Sequence, residues 1–174
     1  PEISSSIGKI NYISHLAAGS HVDRSIKFPT EFVLDNVLGT AHILNYAKEC
    51  KSLERFAYFS TDEVFGPAPQ GIYFKEYDRY NSTNPYSASK AGAEELVVAY
   101  HNTYGIPSFI THTMNVFGER QNIEKYIPMV IKKTRDNELV TVHADANKKV
   151  AGSRHYIHAS DVAEGLLFLY NYDI

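Results

Sequence analysis

The chain has 174 residues, enough for one domain with a sizeable buried core. Its formal net charge of −3, from 17 Lys and Arg against 20 Asp and Glu, gives no basic footprint for a nucleic-acid backbone or an anionic membrane, so neither is an expected partner. The single cysteine, Cys50, excludes an intrachain disulfide framework and a cysteine metal cluster and fits a reducing compartment, and with no run of about 18 apolar residues the chain reads as a soluble, cytoplasmic protein.

Along the chain, KINYISHLAA (9–18) is short, mostly apolar and ends in small residues, as a buried strand opening into a ligand-facing loop would. The segment 30–51 places Val33, Val37, Ala41 and Leu44 three or four apart, which predicts an amphipathic helix with that stripe inward. RFAYFST (55–61) is aromatic-rich and too short for a typical helix, and reads as a second buried strand with a polar carboxyl end. Residues 66–84, with Pro67, Pro69 and Gly71, have the composition of a long surface loop. Asn84 and Pro85 then make a helix start, an Asn side chain capping free amides and a Pro at the first position losing no helical hydrogen bond. That helix is expected to run to about Tyr104, where Gly105 and Pro107 stop it. A third strand at 108–114 and a further helix at 126–135 follow. Alternating strands and helices predict a Rossmann-like doubly wound α/β fold, a parallel sheet covered by helices on both faces with ligands at the carboxyl ends of its strands. Ala17, Thr61 and Asn115 are expected at such ends, around one cleft.

Tyr86 and Lys90 stand four apart near the start of a predicted helix, on one face. An ammonium beside a phenol favours the tyrosinate, so the pair is expected to lower the Tyr pKa and let it act as a base, although this spacing also occurs on ordinary solvated helix faces. STDEVFG (60–66) follows a predicted central strand, where an open sheet places its ligand. Its adjacent carboxyls, Asp62 and Glu63, fit either a solvated turn or, in differing environments, an acid and a base. The eight His residues have no metal-ligand spacing, and no metal is expected.

The blocks HLAAGSHVDRS (15–25), DNVLGT (35–40), STDEVFG, PYSASKAGAEE (85–95), NVFGERQ (115–121), EKYIP (124–128) and SRHYIHASDVA (153–163), in this order, make the chain similar to the extended short-chain dehydrogenase/reductases, the NAD-dependent epimerase/dehydratases, and among them to nucleotide-sugar 4,6-dehydratases of the dTDP-glucose type. The resemblance implies NAD as cofactor and a nucleotide-diphosphate sugar as substrate. It implies that Thr61 orients the hydroxyl at carbon 4, that Tyr86 removes its proton, and that Lys90 positions Tyr86 and the nicotinamide ribose. Glu63 would remove the proton at carbon 5 and Asp62 would protonate the departing hydroxyl at carbon 6. Leu16, Ala17, Ala18 and Ser20 would line the cofactor, while Asn115, Arg154 and Lys125 would lie near the sugar phosphates. Asp161 is expected to cap a helix at ASDVA. Family members commonly dimerise through two helices per subunit, here 30–51 and 85–104.

The resemblance also defines its own gaps. The family's first strand and glycine-rich turn, which hold the cofactor pyrophosphate, are not in the 174 residues, nor is the rest of the family's substrate-binding region, so the chain reads as a fragment: a partial NAD-binding domain (1–174) with the start of the substrate region, inactive alone. Val116 stands where these dehydratases commonly have Asn, and Phe65 where they have Tyr, which leaves the nucleotide base open between dTDP and UDP. Related epimerases, decarboxylases and GDP-sugar dehydratases remain alternatives, as does a non-catalytic nucleotide-binding regulator. Asp62 discriminates, because epimerases usually lack both carboxyls of the triplet and decarboxylases keep only the second.

Overall fold

A computed structural model describes residues 8–69 and 71–172. The chain divides into two compact units, Pro1–Thr113 and Met114–Ile174. In the first, strands β1 (Tyr12–His15), β2 (Arg55–Thr61) and β3 (Ser108–Thr113) form a parallel sheet in the order β1-β2-β3, with Ser14 opposite Ala57 and Tyr58 opposite Ile110. Between β1 and β2 run α1 (Val22–Lys27), α2 (Pro29–Phe32), a π-helical stretch (Val33–Leu38) and α3 (Gly39–Glu49); between β2 and β3 lie a 3-10 turn (Asp62–Phe65) and α4 (Pro85–Tyr104). This is a Rossmann-like α/β arrangement.

β2 is central, and its residues show it: Phe56, Ala57 and Tyr58 have no exposed surface. Phe56 and Tyr58 join Leu44 and Ala47 of α3, Ala93 and Val97 of α4, and Ile106 in one apolar cluster. Burial of Leu44 or Phe56 contributes roughly 1.5–3 kcal/mol each. β1 is covered less completely than the expected double cover, with Tyr12 and Ser14 exposed and His15 buried.

The inward face of the 30–51 helix is not the expected stripe. Phe32, Asn36, Thr40, Leu44 and Ala47 are buried, while Val33 is half exposed. In the π-helical stretch the Gly39 amide reaches back to the Leu34 carbonyl, one residue further than an α-helix allows. Asn36 and Thr40 occupy inward positions because their polar atoms are satisfied there. Asn36 exchanges hydrogen bonds with Gly19 (N to Oδ1 2.8 Å; Nδ2 to O 3.0 Å), and Thr40 pairs with His15 Nε2 at 3.0 Å.

α4 has the bounds its punctuation predicts. Asn84 accepts from Ser87 N at 2.9 Å in a capping box, Pro85 opens the first turn, and Gly105 closes the helix at φ 70°, its amide bonding the His101 carbonyl. Before α4, Gly66 (φ 76°) permits a close chain approach: a Cβ there would fall 2.4 Å from the Asn81 carbonyl oxygen.

In the second unit, β4 (Asn115–Phe117) and β5 (Tyr156–His158) form a two-stranded parallel sheet, with α5 (Tyr126–Arg135) between them and α6 (Ala159–Asn171) after β5. α5 has the predicted bounds. The third strand ends at Thr113 rather than at 114; Ala17 and Asn115 each lie two residues past the carboxyl ends of β1 and β3, and Asn115 also opens β4. His158, not Asp161, caps α6: its side chain accepts from Ser160 N, and Asp161 sits in the first turn, where a carboxylate still complements the helix dipole.

Candidate functional site

The carboxyl end of β2 turns at once into the 3-10 segment, and the turn is built by Thr61. Its hydroxyl accepts from the Glu63 amide at 3.3 Å and donates to Asp62 Oδ1 at 3.3 Å. Asp62 is exposed, whereas Glu63 is half-buried and takes a hydrogen bond from Asn84 Nδ2 at 3.3 Å. The two adjacent carboxyls therefore have different surroundings.

Tyr86, in the first turn of α4, packs edge-on against Phe32 with ring centroids 6.4 Å apart. Its pKa is pushed up to about 12, first by burial, with a hydrogen bond from the Thr61 side chain opposing the rise and the Glu63 and Asp62 charges adding to it. This corrects the expectation that Lys90 lowers it. The Lys90 ammonium is engaged elsewhere: it donates to the Phe59 carbonyl at 2.5 Å and lies over the Tyr58 ring, 4.2 Å from its centroid. Lys90 is itself pushed down to about 8 by burial, with the Glu94 carboxylate acting against that shift.

Glu94, one turn after Lys90, is wholly buried and accepts hydrogen bonds from Ser60 and Tyr80, with His112 Nε2 2.9 Å away. Phe65 packs into the same cluster, its ring 4.8 Å from His112 and 5.5 Å from Tyr80. Sequence reasoning had not singled out Glu94, Tyr80 or His112, and had noted Phe65 only as standing where the dehydratases have Tyr. A charged residue in the interior stripe of a helix, Glu94 between Ala93 and Val97, is the signal that marks it.

Leu16, Ala17 and Ala18 follow β1 as an exposed run, with Ser20 after Gly19. Gly19 was also overlooked; a Cβ there would meet the Phe32 ring at 3.2 Å. Asn36 Nδ2 donates to the Gly19 carbonyl and to Ser89 Oγ (2.8 Å), so this small-residue run is tied directly to the helix of Tyr86 and Lys90. The exposed Ala17 and Ala18 leave room for a cofactor to approach the backbone closely. Among the described residues no group of three or more His, Cys, Asp or Glu is placed to hold a metal ion, and no helix is long and apolar enough to cross a membrane.

In the second unit, Asn115 Nδ2 donates to the His155 carbonyl at 3.5 Å, next to Arg154, which is exposed with its guanidinium on the Ser153 carbonyl. Lys125 stands at the N-cap of α5.

The Lys90 environment has a measurable consequence. A lysine whose folded value of about 8 lies below its ordinary 10.5 binds fewer protons folded than unfolded between those limits, so stability rises with pH across that window. The raised tyrosines act in the opposite sense, but only above pH 10. Urea unfolding should show a stability increase from pH 8 to 10 in the unsubstituted protein, by up to about 1.4 kcal/mol per pH unit, that Lys90→Met lacks. A difference between the two proteins that does not change with pH would contradict the burial of a charged ammonium.

The sequence and fold place the chain among known proteins. Residues 2–173 match the NAD dependent epimerase/dehydratase family. The chain is 38% identical over 167 residues to the dTDP-D-glucose 4,6-dehydratase of Dictyostelium discoideum, covering 88% of this chain and 37% of that protein. It is 39% identical over 158 residues to a trifunctional UDP-glucose 4,6-dehydratase/epimerase/reductase of Arabidopsis thaliana, covering 90% of this chain and 23% of the relative. The solved structure of DesIV, a dTDP-glucose 4,6-dehydratase from Streptomyces venezuelae with NAD and TYD bound, superposes with a TM-score of 0.84 at 36% identity, covering 93% of this chain and 49% of that one. The chain thus spans less than half the length of these proteins. It belongs to the NAD dependent epimerase/dehydratase family.

Proposed function

We propose that this chain carries the catalytic residues of a nucleotide-sugar 4,6-dehydratase, which converts dTDP- or UDP-glucose to the 4-keto-6-deoxy sugar nucleotide. One observation supports this above the rest: a capped turn at the end of the central strand presents Thr61, Asp62 and Glu63 together, close enough to Tyr86 for all three to act on its phenol. Both carboxyls of the triplet are present, as elimination of water requires and epimerisation does not. NAD, when bound, supplies a hydride acceptor that the reaction regenerates.

In this reading Thr61 orients the hydroxyl at carbon 4 and Tyr86 takes its proton. Burial and two carboxylates hold Tyr86 at about 12, so its service as a base requires positive charge closer than Lys90, whose ammonium is turned to the Phe59 carbonyl and the Tyr58 ring. The ketone formed at carbon 4 acidifies the proton at carbon 5. Glu63 removes that proton, and Asp62 gives one to the hydroxyl at carbon 6, which leaves as water. Leu16, Ala17, Ala18 and Ser20 line the cofactor, and Asn115, Lys125 and Arg154 bind the sugar diphosphate, for which the Arg fork is well suited. The chain is then a partial NAD-binding domain with the beginning of the substrate region, and activity belongs to the full-length protein. Cytoplasmic residence rests on the lone Cys50, and cell fractionation tests it.

We also place a homodimer contact on the 30–51 and 85–104 helices, which leave Val33, Leu34, Leu38 and Val98 exposed. Light scattering of the full-length protein should show dimers. Monomers alone at high concentration would remove the contact.

The step assignment is tested by two substitutions in the full-length protein, mixed with NAD and dTDP- or UDP-glucose in a single turnover and followed by absorbance of reduced nicotinamide. Tyr86→Phe should slow oxidation roughly a hundredfold or more, since a positioned base contributes at least that much. Glu63→Gln should still oxidise carbon 4 but stall before elimination, so reduced cofactor accumulates. Formation of product by Glu63→Gln at the unmutated rate would overturn the dehydratase assignment.

A further inference from the structure

The N-cap of α4 does more than begin a helix. Asn84 Oδ1 accepts from the Ser87 amide at 2.9 Å, and that bond fixes which way round the side-chain amide lies. Its Nδ2 therefore faces outward from the helix start, and it donates to Glu63 Oε2 at 3.3 Å. A flipped amide would set donor against donor at Ser87 and oxygen against carboxylate at Glu63. The Glu63 backbone is held as well, its amide on Thr61 Oγ1. The residue is thus held by Thr61 at its main chain and by Asn84 at its carboxylate.

Residue choice at this position is informative. Ser, Thr, Asp and Asn all cap helices well. Ser and Thr lack a second group to reach the carboxylate, and Asp would oppose it with like charge. Asn alone caps the helix and donates to a neighbouring carboxylate. Because Tyr86 is two residues further along the same turn, a single side chain sets the helix start that aims Tyr86 and the direction in which Glu63 points.

We propose that Asn84 is a positioning residue for Glu63, holding its carboxylate for proton removal at carbon 5; this rests on the dehydratase reading of Glu63. The amide is neutral and transfers no proton, and where the helix cap is retained its loss falls on the elimination step. A hydrogen bond to a charged group is worth about 1.5–3 kcal/mol, which corresponds to roughly tenfold or more in the rate of that step.

The test uses Asn84→Ser and Asn84→Asp in the full-length protein, both retaining a capping side chain. Thermal unfolding should stay within about 3 °C of the unsubstituted protein. In a single turnover with NAD and the nucleotide sugar in deuterium oxide, appearance of reduced nicotinamide should stay within about threefold of the unmutated rate. Its decay, and incorporation of solvent deuterium at carbon 5, should slow about tenfold or more, most in Asn84→Asp. Equal slowing of both phases would reduce Asn84 to a helix cap, and unchanged kinetics in both variants would remove the role altogether. If Glu63→Gln stalls elimination while the Asn84 variants behave as unmutated, only the positioning role falls; if Glu63→Gln turns over normally, the dehydratase reading and this one fall together.

Discussion

A carboxylate with no exposed surface holds the working end of this fold together. Glu94 projects from α4 and gathers Ser60 at the end of β2, Tyr80 in the loop before the helix, and His112 near the end of β3. A buried carboxylate deprived of partners is strongly destabilising, so once Glu94 is inside, these three segments are constrained to meet it. The side chains proposed for catalysis end β2, follow it directly or stand on α4 itself. Thr61 follows Ser60, Lys90 precedes Glu94 by one turn, and Phe65 closes the 3-10 turn by packing between Tyr80 and His112. The same negative charge works against the burial that pushes Lys90 down.

A second polar linkage runs from the other direction. Asn36 and Thr40 take inward positions on a helix whose remaining inward residues are apolar, and they bind Gly19, Ser89 and His15. Stability and function therefore divide along the sheet. Phe56, Leu44 and Val97 supply apolar burial towards the amino end of β2, and hydrogen-bonded polar groups replace them towards its carboxyl end. Each of those polar groups is useful only because its partner is fixed.

Elements with strong punctuation were legible from sequence. β2, α4 and α5 have their predicted bounds, since an Asn-Pro start, a Gly stop and an aromatic run bounded by polar residues act locally. The inward face of the 30–51 helix was misread because counting apolar residues favours Val33 over Asn36, and only the distant partners Gly19 and Ser89 make an inward Asn favourable. The Tyr86 shift was misread for a related reason. Helical spacing brings Lys90 to the right face, but the Phe59 carbonyl and the Tyr58 ring, contributed by β2, decide where its ammonium goes. Asn84 was recognised as a cap, yet its bond to Glu63 spans 21 residues and depends on the 3-10 turn, which no local pattern reveals.

The central claim is that these side chains remove water from a nucleotide sugar. It is tested most directly by proton magnetic resonance of dTDP-glucose or UDP-glucose incubated with the full-length protein and NAD. The account predicts that the carbon 6 methylene signals give way to a methyl doublet beside a ketone or its hydrate at carbon 4. A product that keeps its methylene and is inverted at carbon 4 would contradict it and make the protein an epimerase.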